Sequence, residues 1–268
     1  MSKPQILLTN DDGILSPGLW AAAESLSELG FVHVVAPREQ STGMGRSMPN
    51  TSDGIIETQA VTVGGKTWTV YAVGGTPAQA VQHGILEVLP EKPALVVSGI
   101  NYGENLGTGI TISGTVGAAL EAAAMGVPGL AVSLETEPVH HLSYSNEVDF
   151  SASAYFTLYF ARLMLERKFP PDVDVLKVDL PASATPETEW ATTRLARKRY
   201  FEPTPPRRGS WNEPGRPGYR RSDELETFDR DSDVYAVLSR RIVSVTPVSL
   251  DMTSRVDLAQ LHQLLYSV

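Results

Sequence analysis

A chain of 268 residues, 42% hydrophobic and 20% charged, is long enough to bury a sizeable core as one large domain or one domain with an appendage. Its formal net charge of -9 argues against a nucleic-acid polymer as the main partner, since backbone-phosphate binding relies on concentrated positive surface, but a small phosphorylated ligand met by local donors or a metal stays open. The absence of cysteine excludes disulfides, thiolate catalysis and cysteine zinc sites. No apolar segment approaches the roughly 20 residues of a membrane span, and Met1 to Pro4 runs straight into a strand pattern, so a cytoplasmic protein is expected.

In chain order, the run Ile6-Leu7-Leu8-Thr9 predicts a strand buried on both faces in a parallel sheet. It stops at Asn10-Asp11-Asp12-Gly13. Two adjacent carboxylates at the end of a buried strand repel each other, so keeping both ionised calls for a compensating charge, most economically a divalent cation; a plain polar turn is the alternative. Residues 17–29 predict a helix and 31–36 a second strand, a βαβ unit with a right-handed crossover, in which His33 is a packed histidine. The polar loop 37–50 follows that strand at the edge where open parallel sheets place ligands; it carries Ser41, Thr42, Ser47 and Arg46, and a flexible surface loop is an equal reading. Residues 55–58, 60–63 and 67–72 predict three short antiparallel strands, with Gly64-Gly65 at a turn. Thr76 and Pro77 then start a helix with Ala80, Val81, Ile85, Leu86 and Val88 as its apolar residues and His83 at the surface or boundary.

Residues 94–97 predict a third parallel strand. Asn101 lies just past its end, as Asp11 and Asp12 do past theirs, so polar oxygens from several strand ends converge on one edge. Ser113-Gly114-Thr115-Val116 opens an alanine-rich helix over 117–125, whose free amides and dipole make an anion site at the same edge, or simply an ordinary cap. A strand at 129–134 follows, then a helix at 149–167 whose aromatic residues Phe150, Tyr155, Phe156, Tyr159 and Phe160 read as core. His140 and His141, with no third ligand nearby, make a weak metal candidate. Residues 172–181 alternate polar and apolar and predict a strand. Residues 202–226, rich in Pro, Arg, Gly and Ser and including Trp211 and Tyr219, read as an arm that covers a substrate, holds a neighbouring subunit or is simply solvated. Residues 233–238 and 241–248 predict two closing strands, and 256–266 an amphipathic helix apolar at Leu258, Leu261, Leu264 and Leu265.

The blocks ILLTNDDGI, VVAPREQSTGMGRSM, GGTPAQAV, LVVSGINYGENLG, SGTVGAALEA, GVPGLAVSL and VSVTPVSLDMT strongly resemble, in order, those of the SurE family of survival-protein phosphatases. The resemblance implies an α/β fold: a Rossmann-like, mostly parallel sheet flanked by helices over 1–181, with a β-rich extension over 182–268 exchanged between subunits of a homodimer or homotetramer. It implies a divalent-metal-dependent phosphomonoesterase acting on nucleoside 5'- and 3'-monophosphates, with one Mg²⁺ or Mn²⁺ per subunit. Carried over, the ligands fall on Asp11, Asp12 and Asn101, plus a hydroxyl that falls on Thr42 when the loop is aligned without a gap from Pro37. The family's usual serine makes this a departure, and a shift by one residue selects Ser41. A second departure is Gln79, where relatives commonly carry aspartate. On this reading Asp11 and Asp12 are catalytic, and Asn10, Ser41, Gly43, Asn105, Ser113, Gly114 and Thr115 contact phosphate or substrate. No histidine lies in these blocks, so the base is either hydroxide held on the cation or one of the two aspartates.

Four other readings compete with this one. Dominant exopolyphosphatase activity and a catalytically silent nucleotide-binding module are both compatible with the same blocks. An aspartyl-phosphate route is disfavoured because Asp11 and Asp12 are adjacent and not separated by one residue, and a dinucleotide dehydrogenase because no G-x-G-x-x-G follows the first strand.

Overall fold

In the computed structural model, which describes residues 3–141, 144–145 and 147–266, the first apolar run forms β1 (Gln5–Thr9), an inner strand of a nine-stranded sheet. Met1 and Ser2 lie outside the described residues. α1 (Pro17–Leu26), with proline in its first turn, returns the chain to β2 (Phe31–Pro37), parallel to β1. β3 (Ile56–Val63) and β4 (Lys66–Val73) form an antiparallel hairpin, and α2 (Pro77–His83) leads to β5 (Leu95–Tyr102), which pairs with β1 on the side away from β2. α3 (Gly114–Ala124), β6 (Gly129–Leu134), α4 (Ser151–Glu166) and β7 (Val175–Leu180) extend the parallel order. β8 (Trp190–Thr192) and a separate pair, β9 (Phe201–Thr204) with β10 (Gly218–Arg221), precede β11 (Val243–Val248), and α5 (Leu258–Tyr266) follows.

Across the sheet the order is β3-β4-β2-β1-β5-β6-β7-β11-β8, so segments on both sides of residue 181 share one sheet. The chain winds outward from β1 in both directions. In an open α/β sheet that reversal opens a crevice at the carboxyl ends of the two strands flanking it, here β1 and β5. Alternation along β1 sorts the core: Ile6 and Leu8 pack toward α1 and α4, with Leu19, Leu26, Phe156 and Phe160, while Leu7 packs with Ala80, Val81 and Ala118 of α2 and α3. All three β1 side chains are fully buried, each worth about 1.5–3 kcal/mol, which fixes the strand that carries the acidic turn.

Several expectations need correction. The strands expected over 55–58 and 60–63 are one continuous strand starting at Ile56, because Gln59 keeps its place in the ladder opposite Val70; the reversal comes at Gly64-Gly65, both at positive φ. Residues 233–238 do not form a strand: the Ser232 hydroxyl and the Asp233 carboxylate accept from the amides of Tyr235 and Val234, and a π-helical turn (Tyr235–Ser239) results. Leu86, expected among the apolar contacts of its helix, is 72% exposed, and Tyr155 and Tyr159 are likewise only partly covered. The alternation read over 172–181 does not mark a solvent face, since all six residues of β7 are buried. Lys177 there pairs with Asp179 and, at 3.2 Å, with Asp233.

Gln79 has a local role in place of the expected aspartate. Its amide accepts from Thr76 N at 3.0 Å while Gln79 N donates to the Thr76 hydroxyl at 3.2 Å, a capping box that starts α2.

Candidate functional site

β1 delivers Asn10, Asp11 and Asp12 to the crevice. Asn10 closes the turn, donating through Nδ2 to Gly13 O at 3.0 Å and accepting at Oδ1 from Gly13 N at 3.2 Å, and it is fully buried behind the acidic pair. Gly13 completes the reversal at φ +98°. On the neighbouring strand the register is irregular between Ser98 and Asn101, where the Gly99-Ile100 peptide is cis; such a bulge re-aims the side chains after it. Tyr102 N then donates to Asp12 Oδ2 at 3.1 Å, which ties the end of β5 to the aspartates. Asn101 donates through Nδ2 to Gly103 O at 2.6 Å and Tyr102 O at 3.2 Å, leaving Oδ1 as its atom for a cation.

α3 starts against Asp11. The Ser113 hydroxyl caps the helix by accepting from Val116 N at 3.2 Å, and the Thr115 hydroxyl donates to Asp11 Oδ1 at 2.5 Å. A side chain on Gly114 would place its Cβ 2.6 Å from Asp11 Cβ, so only glycine allows the carboxylate to approach the first turn this closely. The loop after β2 closes the third side. Ser41 N donates to Asp11 O at 2.7 Å, but the Ser41 hydroxyl turns back to Glu39 O at 3.3 Å. Gln40 Nε2 bridges Asp12 Oδ1 at 3.3 Å and His141 O at 2.7 Å.

These elements enclose a cavity of about 290 Å³, a little below the usual range for small-molecule sites, roughly 300–1,000 Å³. Of the residues singled out from the sequence, Asp11, Thr42, Gly43, Asn101, Asn105 and Ser113 line it. Asn10, Asp12, Ser41, Gly114 and Thr115 do not. Of the two candidate hydroxyls, then, Thr42 is at the cavity and Ser41 is not.

Burial pushes the Asp11 carboxyl up to about 6, against the opposing hydrogen bonds from the Thr115 hydroxyl and the amides at the start of α3. Asp12 rises well above the usual carboxylate range, through burial first and the charge of Asp11 second. Among the described residues no Lys, Arg or His pairs with either. Two buried, mutually repelling carboxylates, with Asn101 and Thr42 on the cavity that Asp11 lines, bring together hard-oxygen groups of the kind a divalent cation takes. No group of three or more His, Cys, Asp or Glu able to hold a metal occurs among the described residues, so such a site here depends on Asn101 and Thr42 as well as the aspartates.

Another part of the cavity wall was not anticipated. His141, Phe201, Pro203, Gly218 and Tyr219 line it, and β9 and β10 supply four of the five. The arm read over 202–226 therefore provides a wall of the crevice. The signal present in the sequence was Tyr219 within an arm that might cover a substrate; nothing linked it to His141, which lies 78 residues away.

The family profile described as "Survival protein SurE" matches residues 6–202. The chain belongs to the SurE family. It is 46% identical over 263 residues to the protein named 5'-nucleotidase SurE of Thermococcus gammatolerans, covering 98% of this chain and 96% of that one. To the Thermococcus kodakarensis protein of the same name it is 43% identical over 268 residues, covering 98% and 99%. Its fold is similar to the crystal structure of the SurE protein from Aquifex aeolicus, with a TM-score of 0.76, 31% identity and coverage of 97% and 99% of the two chains. The SurE fold thus accounts for the sheet order and for the acidic turn at its centre.

Proposed function

We propose that this SurE chain is a divalent-cation-dependent phosphomonoesterase that hydrolyses nucleoside 5'-monophosphates, and 3'-monophosphates as well, to nucleoside and phosphate. The observation that carries this reading is one cavity bordered both by Asp11, whose buried neighbour Asp12 likewise lacks a cationic partner among the described residues, and by the aromatic rings of Phe201 and Tyr219. The relatives named 5'-nucleotidase support it. The aromatic end favours an ester with an apolar leaving group over polyphosphate, which is anionic throughout.

On this reading Asp11, Asp12, Asn101 and Thr42 hold one Mg²⁺ or Mn²⁺. When bound, that ion supplies Lewis-acid polarisation of the phosphoryl group and eases ionisation of the attacking water. Thr115 and Gly114 fix Asp11 in place. Ser113, at the start of α3, receives a phosphate oxygen as charge develops there, and Asn105 reaches the same cavity from the β5 side. Attack by water forms one P–O bond and breaks the ester P–O bond, so phosphate and nucleoside leave.

The test is phosphate release from adenosine monophosphate. Release should vanish on chelation, return with Mn²⁺, and fall by at least about a hundredfold in Asp11→Asn, the scale of losing one preorganised electrostatic group. Undiminished release from demetallated protein, or from Asp11→Asn, would overturn the proposal.

The same reading divides the chain by task. Residues 1–181 carry the phosphate chemistry, and 182–268 supply the crevice wall and the contacts of a homodimer or homotetramer. Supporting the second part, α5 exposes Leu258, Leu264 and Leu265 at 61%, 71% and 68%, an apolar stripe that the described residues leave uncovered.

A further inference from the structure

The aromatic end of the cavity is built with more care than a loose wall requires. Tyr219 and Phe201 meet edge to face with ring centroids 5.3 Å apart, and Tyr219 remains 50% exposed, so part of its surface is open. β10 places Tyr219 opposite Pro203 and Arg221 opposite Phe201, which puts both rings on one short ribbon. That ribbon is anchored through Arg221, which donates to Thr136 O at 2.5 Å and lies 3.5 Å from Glu104.

Behind the ribbon, His141 is buried and nearly parallel to the Tyr219 ring, at 15° with centroids 6.2 Å apart. Its Nε2 faces Thr136 O at 3.3 Å and its Nδ1 lies 2.9 Å from the Tyr219 hydroxyl. A carbonyl only accepts, so Nε2 carries the proton and Nδ1 accepts from Tyr219. Burial lowers the His141 pKa, consistent with this neutral form. The seat is specific: a side chain on Gly103, at φ +101°, would bring its Cβ to 2.7 Å from His141 Nε2. The hydroxyl of Tyr219 is thus held by His141, and Tyr219 lines the same cavity as Asp11.

We propose that Tyr219 and Phe201 form the contact surface for the heterocyclic base of the substrate, and that His141 is a positioning residue that sets the angle of Tyr219. This rests on the nucleotidase reading, because a base enters only if the leaving group is a nucleoside. Every base offers a π-face, so stacking rewards its presence and area, and purines gain more than pyrimidines. Asp11, Asp12, His141 and Phe201 lie within the stretch matched by the family profile, residues 6–202, whereas Pro203, Gly218 and Tyr219 lie beyond it.

Adenosine monophosphate and ribose 5-phosphate, which differ by the base alone, separate the two ends. In kcat/KM the wild type should favour the nucleotide, and Tyr219→Ala should shrink that ratio about tenfold, equivalent to about 1.4 kcal/mol, chiefly through the KM of the nucleotide. Phe201→Ala should act in the same direction. His141→Ala and Tyr219→Phe should each lower the ratio by less, since the ring remains but its restraint is lost. Equal losses on both substrates, or an unchanged ratio in Tyr219→Ala, would overturn the proposal. If the wild type releases phosphate from neither compound, the nucleotidase reading fails instead; calorimetric binding of the same two compounds to the same variants then still decides whether Tyr219 holds the base.

Discussion

Glu104 shows how one buried carboxyl near the site makes stability depend on pH. It is almost fully buried beneath the arm, and burial pushes its pKa from 4.5 up to about 8, with Arg221 opposing that rise. Because the folded value lies above the unfolded one, the stability contributed by this group is complete below pH 4.5 and is lost as pH rises toward about 8. The melting temperature of the wild type should therefore fall between about pH 5 and pH 9, and Glu104→Gln, which does not ionise, should fall less over the same interval. Parallel curves for the two proteins would contradict this. Asp11 and Asp12 were legible as a pair because their adjacency and their place at a strand end are both local in sequence. Glu104 was not: its neighbours Tyr200 and Arg221 lie just before the arm and within it, and only the fold brings them over it.

Among the elements, β1 and α3 could be read directly because each is contiguous and punctuated by its own glycine or cap. β7 could not. Its Lys177 and Asp179 gave an alternating pattern, yet both are fully buried because Asp233, from a distant stretch of the chain, completes an ion triad inside the protein. The triad also holds the crevice loop: Lys177 donates to Asn105 O at 2.9 Å, Asp179 accepts from Asn105 N at 2.7 Å, and Asp233 accepts from Gly107 N at 2.9 Å. Removing the cation leaves two carboxylates buried without it, so Lys177→Met should cost about 3–5 kcal/mol in urea unfolding. A loss under about 1 kcal/mol, the scale of an exposed pair, would show that the triad does not hold the loop. The same long-range closure explains why 233–238 looked like a strand. Its apolar residues are real, but Ser232 and Asp233 bond the following amides and coil the backbone.

For the whole molecule, the sheet order places the switch point at β1, and every donor assigned to the cation lies on the carboxyl side of that point. The expected fold class follows from this winding, whereas the aromatic wall depends on β9 and β10, a pair outside the main sheet with no periodicity that would reveal it. The uncovered stripe of α5 belongs at this scale too. Light scattering after size exclusion should give a dimer or tetramer for the full chain and a smaller species once residues after 250 are removed; identical masses would remove α5 from the assembly. The cation is the claim on which the rest depends, and paramagnetic resonance of free Mn²⁺ during titration measures it without turnover. The account predicts one ion bound per chain, with affinity lost in Asp11→Asn and weakened about 10–100-fold in Asn101→Ala. Wild-type affinity in both variants would contradict it.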